Sequence, residues 1–134
     1  MQNRDRIDLV LEFCQNFNQV VNLTPTLVGE QTANLRKTLI YEEAVTELSD
    51  GIKANDLRAI LDALCDSLYV VYGTAVAYGL HNILDEAFRE VHRSNMSKAG
   101  EDGKPIYDEN GKVKKGPNYS PPNLEQFLDR WTKS

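Results

Sequence analysis

The sequence predicts an all-α fold: a four-helix bundle, then a short hairpin or loop excursion and a small C-terminal helix. Apolar residues recur at helical spacing through residues 5–98. The run AILDALCDSLYVVYGTAVAYGL, residues 59–80, has only two charged residues, and a helix that is apolar on every side is normally buried. Glycine, proline, asparagine and lysine are concentrated in residues 99–122, which are therefore expected to lie outside the bundle.

Length and charge limit the domain organisation and the function classes. The 134 residues predict a single domain over 1–134, with a core in 5–98 and a lysine-rich loop and terminal helix in 99–134. A net charge of −5 offers no general attraction to nucleic acid or to an anionic membrane. The N-terminus lacks the apolar stretch of a signal peptide, and both cysteines fall inside predicted helices. We therefore expect a cytoplasmic protein without nucleic-acid or membrane partners.

The first two helices are separated by a segment that contains a proline and a glycine. The first helix is predicted at residues 5–22, and residues 23–29 form a turn or a short extended link. The second runs from about Glu30 to Asp50, and Gly51 is predicted to be its C-terminal stop.

The third and fourth helices follow directly. The third is capped by Asn55 or Asp56 and continues to about Tyr78. Gly73 lies on the same face as the two aspartates of this helix, where it could admit a ligand or a close helix. The fourth is predicted at residues 81–98, and its apolar face becomes polar at its C-terminal end, as expected if that end reaches a site.

The last part of the chain is predicted to contain a hairpin and a short helix. Asn110-Gly111 is a strong turn signal within residues 99–122. The lysines beside it, Lys112, Lys114 and Lys115, belong either to a solvated loop or to a flap that faces phosphate. The terminal helix begins at its cap, Asn123.

Two pairs of carboxylates interrupt otherwise apolar helix faces. Glu43 and Glu47 lie four residues apart on the second helix, and Asp62 and Asp66 on the third. Side chains at i and i+4 project from one face, and two helices joined by a short connection pack antiparallel, so four carboxylates can converge. Oxygen ligands suit Mg²⁺ or Mn²⁺ better than zinc. The pattern therefore predicts a site for one of these ions.

A buried ion pair is the main alternative for the two aspartates. Arg36, Arg58 and Lys98 are the candidate partners. Arg36 lies two turns before the glutamates on the same face, where it could meet either a carboxylate or a phosphate.

Three stretches resemble the MazG-like, phosphoribosyl-ATP pyrophosphohydrolase-like superfamily of all-α nucleoside triphosphate pyrophosphohydrolases: LRKTLIYEEAVTEL, DALCDSLYVVYGTAVAYG and EVHRSNMSK. The likeness covers roughly residues 35–115 and is greatest to small phage-encoded and bacterial members, among them a phage enzyme that hydrolyses (d)GTP. It implies a MazG-like helical bundle and cleavage of a (d)NTP between the α- and β-phosphates. It also implies a homodimer or homotetramer, and the host cell cytoplasm if the chain is phage-encoded.

The family pattern, EExxE on one helix and ExxD on the next, is matched in part. Glu43 and Glu47 match its first and last glutamates, and Asp66 matches its aspartate. Ala44 stands at the middle glutamate, and Asp62 lies one residue before the position of the remaining one.

The resemblance implies a role for each candidate residue. Two or three Mg²⁺ or Mn²⁺ ions would be held by Glu43, Glu47, Asp62 and Asp66. Either Glu43 or Glu42 would orient or deprotonate the attacking water. The phosphates would be contacted by Asn95, Lys98, Arg93 and Arg36.

Two other functions remain open from the sequence. A dUTPase-like or house-cleaning nucleotide hydrolase would share the metal dependence and differ in substrate. A non-enzymatic helical interaction module would use the aspartates as structural ion-pair partners and the lysine-rich loop as a binding surface.

Overall fold

The computed structural model describes residues 3–132, so the ends of the predicted domain, residues 1–2 and 133–134, lie outside the described residues. Within these residues the regular elements are all helices, apart from one isolated bridge, which confirms the predicted all-α, MazG-like fold class. Its elements are α1 (Asn3–Asn16), α2 (Glu30–Ile40), a π-helical segment (Tyr41–Glu47), α3 (Leu48–Lys53), α4 (Leu57–Ala77), α5 (Leu84–Met96) and α6 (Glu125–Thr132).

Two compact units make up the chain, the first spanning Met1–Asn82 and the second Ile83–Ser134. The first contains α1 to α4 with the π-helical segment, and the second contains α5, a short hairpin and α6. The expectation of a single domain stays a prediction.

Helix α4 is the central element of the first unit, because α1, α2, the π-helical segment and α3 all pack against it. Asp56 caps its N-terminus by accepting a hydrogen bond from the Ala59 amide at 3.2 Å, as predicted. Val10 and Cys14 of α1 are buried together with Val76 of α4. By length and composition, α4 is also the one helix within residues 3–132 that could cross a membrane.

The first helix ends earlier than predicted, at Asn16 rather than residue 22. Asn18 adopts a left-handed conformation with φ 57°, and the Gln19 amide donates to the Cys14 carbonyl at 2.9 Å. This is the hydrogen bond of a Schellman C-cap. Val21 fits the helical spacing of apolar residues in the sequence, but it lies in the non-helical segment after α1. It packs against the core from there.

Gly51 is not the stop of the second helix, because the helical run continues to Lys53. A Cβ at Gly51 would lie 3.3 Å from the Ala59 backbone, so this glycine allows α3 to approach α4 closely. The turn is made instead by Asn55, with φ 53°, and the Asp56 amide bonds to the Gly51 carbonyl at 3.2 Å.

The second unit contains the predicted hairpin in its shortest form. Tyr107 and Val113 form an antiparallel bridge, and Gly111 has a left-handed φ of 79° at the turn. The three clustered lysines beside the turn are exposed. Helix α6 begins at Glu125, two residues after the predicted cap Asn123, and buries Phe127.

Candidate metal centre

Three of the four predicted metal ligands converge in the first unit. Glu43 and Glu47 of the π-helical segment and Asp66 of α4 each offer a carboxylate oxygen, and these oxygens lie within 4.8 Å of one another. We call these three residues the carboxylate cluster. Asp62 lies one turn earlier on α4 and is exposed, but its charge acts on Asp66. The structure therefore places Asp62 at the edge of the cluster.

The π-helical backbone positions both glutamates. The Leu48 amide donates to the Glu43 carbonyl, five residues back, as a π-helix requires. A π-helical turn contains more residues than the 3.6 of an α-helix. Side chains at i and i+4, such as those of Glu43 and Glu47, therefore point in more nearly the same direction from the helix. Helical periodicity in the sequence does not reveal this widening. Single π-helical turns often occur at functional sites.

The electrostatic environment of Glu43 is set by other carboxylates. A hydrogen bond with Glu47 is the largest cause that raises its pKa, to about 7, followed by burial and by the charges of Glu47, Asp66 and Glu42. The pKa of Asp66 is raised by burial first and then by Asp62 and Glu47. All the charges that shift these two pKa values are negative, so the cluster concentrates like charge.

One oxygen of the cluster has no hydrogen-bond partner. Oε2 of Glu43 is buried and unpaired in the structure. A buried carboxylate oxygen without a donor is costly, and a divalent cation would satisfy it while favouring the ionised form of its neighbours. Three carboxylates are the ligand type that Mg²⁺ and Mn²⁺ prefer. The residues present therefore fit such an ion.

Glu42, the alternative candidate for activating water, precedes Glu43 on the π-helical segment. Its side chain is exposed, and it acts on Glu43 through its charge. The choice between Glu42 and Glu43 as the water-activating group stays a prediction.

Arg36 is held by α4. Its Nε donates to the Thr74 hydroxyl at 3.2 Å and its Nη2 to the Val70 carbonyl at 3.1 Å. Gly73 makes room for it, since a Cβ there would lie 2.5 Å from Nη2. Burial lowers the pKa of Arg36, although the nearby Cys14 raises it. Gly73 thus makes room for the Arg36 guanidinium of α2 rather than for a ligand. A contact between Arg36 and phosphate stays a prediction.

The other predicted phosphate ligands lie at the C-terminal end of α5 or directly after it, in the second unit. Arg93 donates to both carboxylate oxygens of Glu90, at 2.7 and 3.0 Å, and to the Pro121 carbonyl at 3.1 Å. Asn95 is exposed, and its carbonyl accepts from the Lys98 amide at 3.2 Å. Their contact with phosphate stays a prediction.

A cavity of about 220 Å³ in the first unit was not predicted. Two of its wall residues lie one helical turn from the carboxylate cluster: Leu39, four residues before Glu43, and Tyr69, three residues after Asp66. Phe13 meets Tyr69 edge to face with ring centroids 5.5 Å apart. The sequence feature that could have indicated this cavity is Tyr69, because helical spacing places it on the same face as Asp66.

Comparison with known proteins identifies the family. The model of the phosphoribosyl-ATP pyrophosphohydrolase family matches residues 10–95, which include all four predicted metal ligands. The chain belongs to this family. Its membership confirms the MazG-like relationship that the sequence motifs predicted, and it favours a pyrophosphohydrolase over a non-enzymatic module.

Two individual proteins are similar to this member of the phosphoribosyl-ATP pyrophosphohydrolase family. An uncharacterised protein of Acanthamoeba polyphaga mimivirus is 40% identical over 85 residues, which are 63% of this chain and 30% of that protein. The chain therefore spans under a third of that relative's length. A crystal structure of a proposed NTP pyrophosphohydrolase from Exiguobacterium sp. 255-15 is 27% identical, with 96% of each chain covered and a TM-score of 0.51.

Proposed function

We propose that the protein is a metal-dependent nucleoside triphosphate pyrophosphohydrolase, which cleaves a (d)NTP between the α- and β-phosphates and releases a monophosphate and pyrophosphate. The observation that carries the proposal is the carboxylate cluster, with its unpaired Glu43 oxygen, in a chain of this family. The family match supports the reaction class, and the cluster supports the metal dependence.

Each acidic residue has a role in the proposed reaction. Glu43, Glu47 and Asp66 hold Mg²⁺ or Mn²⁺, and Asp62 extends the site if two or three ions bind. The bound metal supplies positive charge to the triphosphate and lowers the pKa of water. Glu43 or Glu42 takes a proton from the water whose oxygen forms the new bond to phosphorus, while the bridging oxygen leaves with pyrophosphate. Asn95, Lys98, Arg93 and Arg36 are the proposed phosphate contacts, by resemblance alone.

The cavity beside the cluster supports a nucleotide as the substrate. The rings of Phe13 and Tyr69 offer the apolar surface on which a nucleobase can stack. Arg36 and Gln19 add polar groups to its wall. A mostly apolar cavity with a few polar groups is typical of small-molecule sites. We propose that the base lies here while the phosphates reach the carboxylates.

Guanine is the base we propose, because the sequence resembles MazZ, the cyanophage enzyme that hydrolyses (d)GTP to (d)GMP. The reaction would then take place in the cytoplasm, in the host cell if the chain is phage-encoded. A preference for dUTP or for a damaged nucleotide would instead support the dUTPase-like or house-cleaning alternative.

The test is phosphorus NMR of each common (d)NTP incubated with the protein and Mg²⁺ or Mn²⁺, with a chelator control. We expect monophosphate and intact pyrophosphate, in the presence of metal only, with dGTP and GTP turned over fastest. Asp66→Asn should be inactive and Glu86→Gln, at an acidic residue of the second unit, should be active. Turnover in chelator, or stepwise release of single phosphates, would contradict the proposal.

A further inference from the structure

The cavity beside the carboxylate cluster has a second end, farther along α4. Its wall continues from Tyr69, near the cluster, to Gly73. At 1.5 Å per residue, Gly73 lies roughly 10 Å along the helix axis from Asp66. Arg36 of α2 is another wall residue, and it lies seven positions before Glu43. We call the end formed by Arg36 and Gly73 the far end, because it lies about two helical turns from the cluster.

Arg36 brings an incompletely paired guanidinium to the far end. The residue is only 7% exposed. Its Nε and Nη2 donate to α4, but Nη1 has no hydrogen-bond partner within residues 3–132. Nη1 lies 3.6 Å from the position that a Cβ of Gly73 would take. Because buried N–H groups without an acceptor are costly, the far end favours a ligand that supplies one.

Gln19 supplies the complementary group. It follows α1 and lines the same cavity. Its backbone amide donates to the Cys14 carbonyl at 2.9 Å, and its side-chain Nε2 donates to the Phe17 carbonyl at 3.3 Å. Oε1 of Gln19 receives no hydrogen bond from the residues that the structure describes. The cavity wall therefore offers an acceptor at Gln19 and donors at Arg36.

This pair of groups matches one class of nucleobase. Guanine, hypoxanthine, uracil and thymine carry a carbonyl oxygen beside a ring N–H, and we call them oxo bases. Adenine and cytosine, the amino bases, carry an amino group beside a ring nitrogen that only accepts. The carbonyl oxygen of an oxo base can accept from Arg36 while its ring N–H donates to Gln19. In the same pose, an amino base would set donor against donor and acceptor against acceptor, which leaves both pairs unsatisfied. The positive charge of the guanidinium also favours the carbonyl oxygen.

We propose that Gln19 and Arg36 determine the base specificity of the proposed reaction by selecting an oxo base over an amino base. The inference rests on the proposed function, because it takes the base to lie in this cavity. It defines the substrate class by a hydrogen-bonding edge, so uracil and hypoxanthine nucleotides belong to it together with guanine nucleotides. For Arg36, this role stands against the phosphate contact that the resemblance implies, and binding measurements distinguish the two.

Isothermal titration calorimetry of the full chain with Mg²⁺ tests the proposal without turnover. The ligands are the α,β-imido analogues of dUTP and dCTP, in which an NH bridge replaces the oxygen of the bond to be cleaved. Their bases differ only in the carbonyl and ring N–H of uracil and the amino group and ring nitrogen of cytosine. We expect the dUTP analogue to bind about 10- to 100-fold more tightly, since a matched pair of hydrogen bonds gives discrimination of this size. The dGTP analogue should bind more tightly than the dATP analogue by a similar factor.

Two variants separate the contributions of the two residues. Gln19→Leu removes the acceptor and keeps a side chain of similar size, so the ratio of the dUTP-analogue and dCTP-analogue affinities should fall by about 3- to 10-fold. The matched control is Gln15→Leu, at an exposed glutamine of α1 outside the cavity wall, which should keep the wild-type ratio. Arg36→Met should weaken binding of the dUTP analogue by about 10-fold or more and leave that of the dCTP analogue unchanged. If Arg36→Met fails to fold, the wild-type ratio and Gln19→Leu decide the matter.

Equal binding of the dUTP and dCTP analogues to the wild type, or no binding of any analogue, would overturn the proposal. A Gln19→Leu variant with the same affinity ratio as Gln15→Leu would also overturn it. Equal weakening of both analogues in Arg36→Met would assign Arg36 to the phosphates and contradict its role at the base. Preferential binding of oxo bases without turnover of any dNTP would leave this proposal standing and overturn only the proposed reaction. Turnover without that preference would overturn only the proposal for Gln19 and Arg36.

Discussion

Two groups of acidic residues, Glu86 and Glu90 in the second unit and the carboxylate cluster in the first, have opposite electrostatic surroundings. In the second unit, Glu86 pairs with Arg130 at 2.8 Å, and Glu90 accepts from Arg93 and from the Asn123 amide, both at 2.7 Å. Hydrogen bonds from the arginines lower the pKa of both glutamates, that of Glu90 to about 2. In the first unit, neighbouring carboxylates and burial raise the pKa of Glu43 and of Asp66.

This contrast separates two uses of the same residue type. A carboxylate that accepts from an arginine and an amide is stabilised by the fold itself. A cluster of carboxylates destabilises the fold, and shifted pKa values of this kind are concentrated at functional sites. The pairs of the second unit thus serve structure, and the cluster of the first is suited to a cation.

The largest expected effect is on activity. Glu47→Gln keeps the shape of the side chain but removes a proposed metal ligand, so metal-dependent turnover should fall by more than about 100-fold, since even an outer partner of a metal site is worth 10–100-fold. Glu86→Gln removes a paired carboxylate and should retain turnover. Release of pyrophosphate from dGTP measures both. Equal activities of the two variants would contradict the distinction between a functional cluster in the first unit and structural ion pairs in the second.

A large effect on stability is expected at the buried arginine. Gly73→Ala would place a Cβ 2.5 Å from Nη2 of Arg36, so the guanidinium must move from its bonds to α4. The free energy of unfolding should fall by about 1–3 kcal/mol. Urea denaturation of the single variant and of Gly73→Ala in an Arg36→Met background measures the coupling. An equal loss in both backgrounds would show that the Arg36 contact is not the cause.

A smaller effect, of opposite sign in the two units, is expected for the metal-free protein. Asp66→Asn relieves repulsion in the cluster and should raise the free energy of unfolding by roughly 0.5–1 kcal/mol. Glu86→Gln removes an ion pair and should leave the free energy of unfolding unchanged or lower it. Thermal denaturation in chelator compares them. A marked loss of stability in Asp66→Asn alone would favour a structural role for the cluster.

The smallest expected effect is on stability at acidic pH. The pKa of Glu90 is lowered to about 2 from an ordinary value of 4.5, so its stabilising contribution is complete above pH 4.5 and is lost as the pH falls towards 2. Trp131, the only tryptophan, lies in α6 of the same unit and reports the transition by fluorescence. In Glu90→Gln this part of the acid titration should disappear. Its persistence would assign the transition to another group.

Helical periodicity predicted much of this molecule. Acidic residues in apolar stripes pointed to Glu43, Glu47, Asp62 and Asp66 as metal ligands, because burial of a charge is costly. The structure brings the carboxylates of Glu43, Glu47 and Asp66 together, and their role as metal ligands stays a prediction. Asn55 and Asp56 were the two candidate caps of α4, because either side chain can satisfy a free amide at a helix start, and the structure shows that Asp56 is the cap. Both predictions use interactions between residues that are close in sequence.

The remaining features depend on contacts between distant residues. Gly51 follows the rule for a helix stop, but the approach of α4 gives it a packing role that local sequence does not show. The hydrogen bonds of Arg36 likewise join it to residues of α4 that are 34 and 38 positions away, and helical periodicity does not indicate the π-helical backbone at Glu43. The cavity beside Tyr69 needs α1, α2 and α4 together, so no single stretch indicates it.

The central claim is that the carboxylate cluster binds a divalent cation, and titration of Mn²⁺ followed by electron paramagnetic resonance tests it most directly. The wild type and Glu86→Gln should remove the signal of the free ion, and Asp66→Asn should leave most of it. A wild type that leaves Mn²⁺ free, or an Asp66→Asn variant that binds as the wild type does, would contradict the claim.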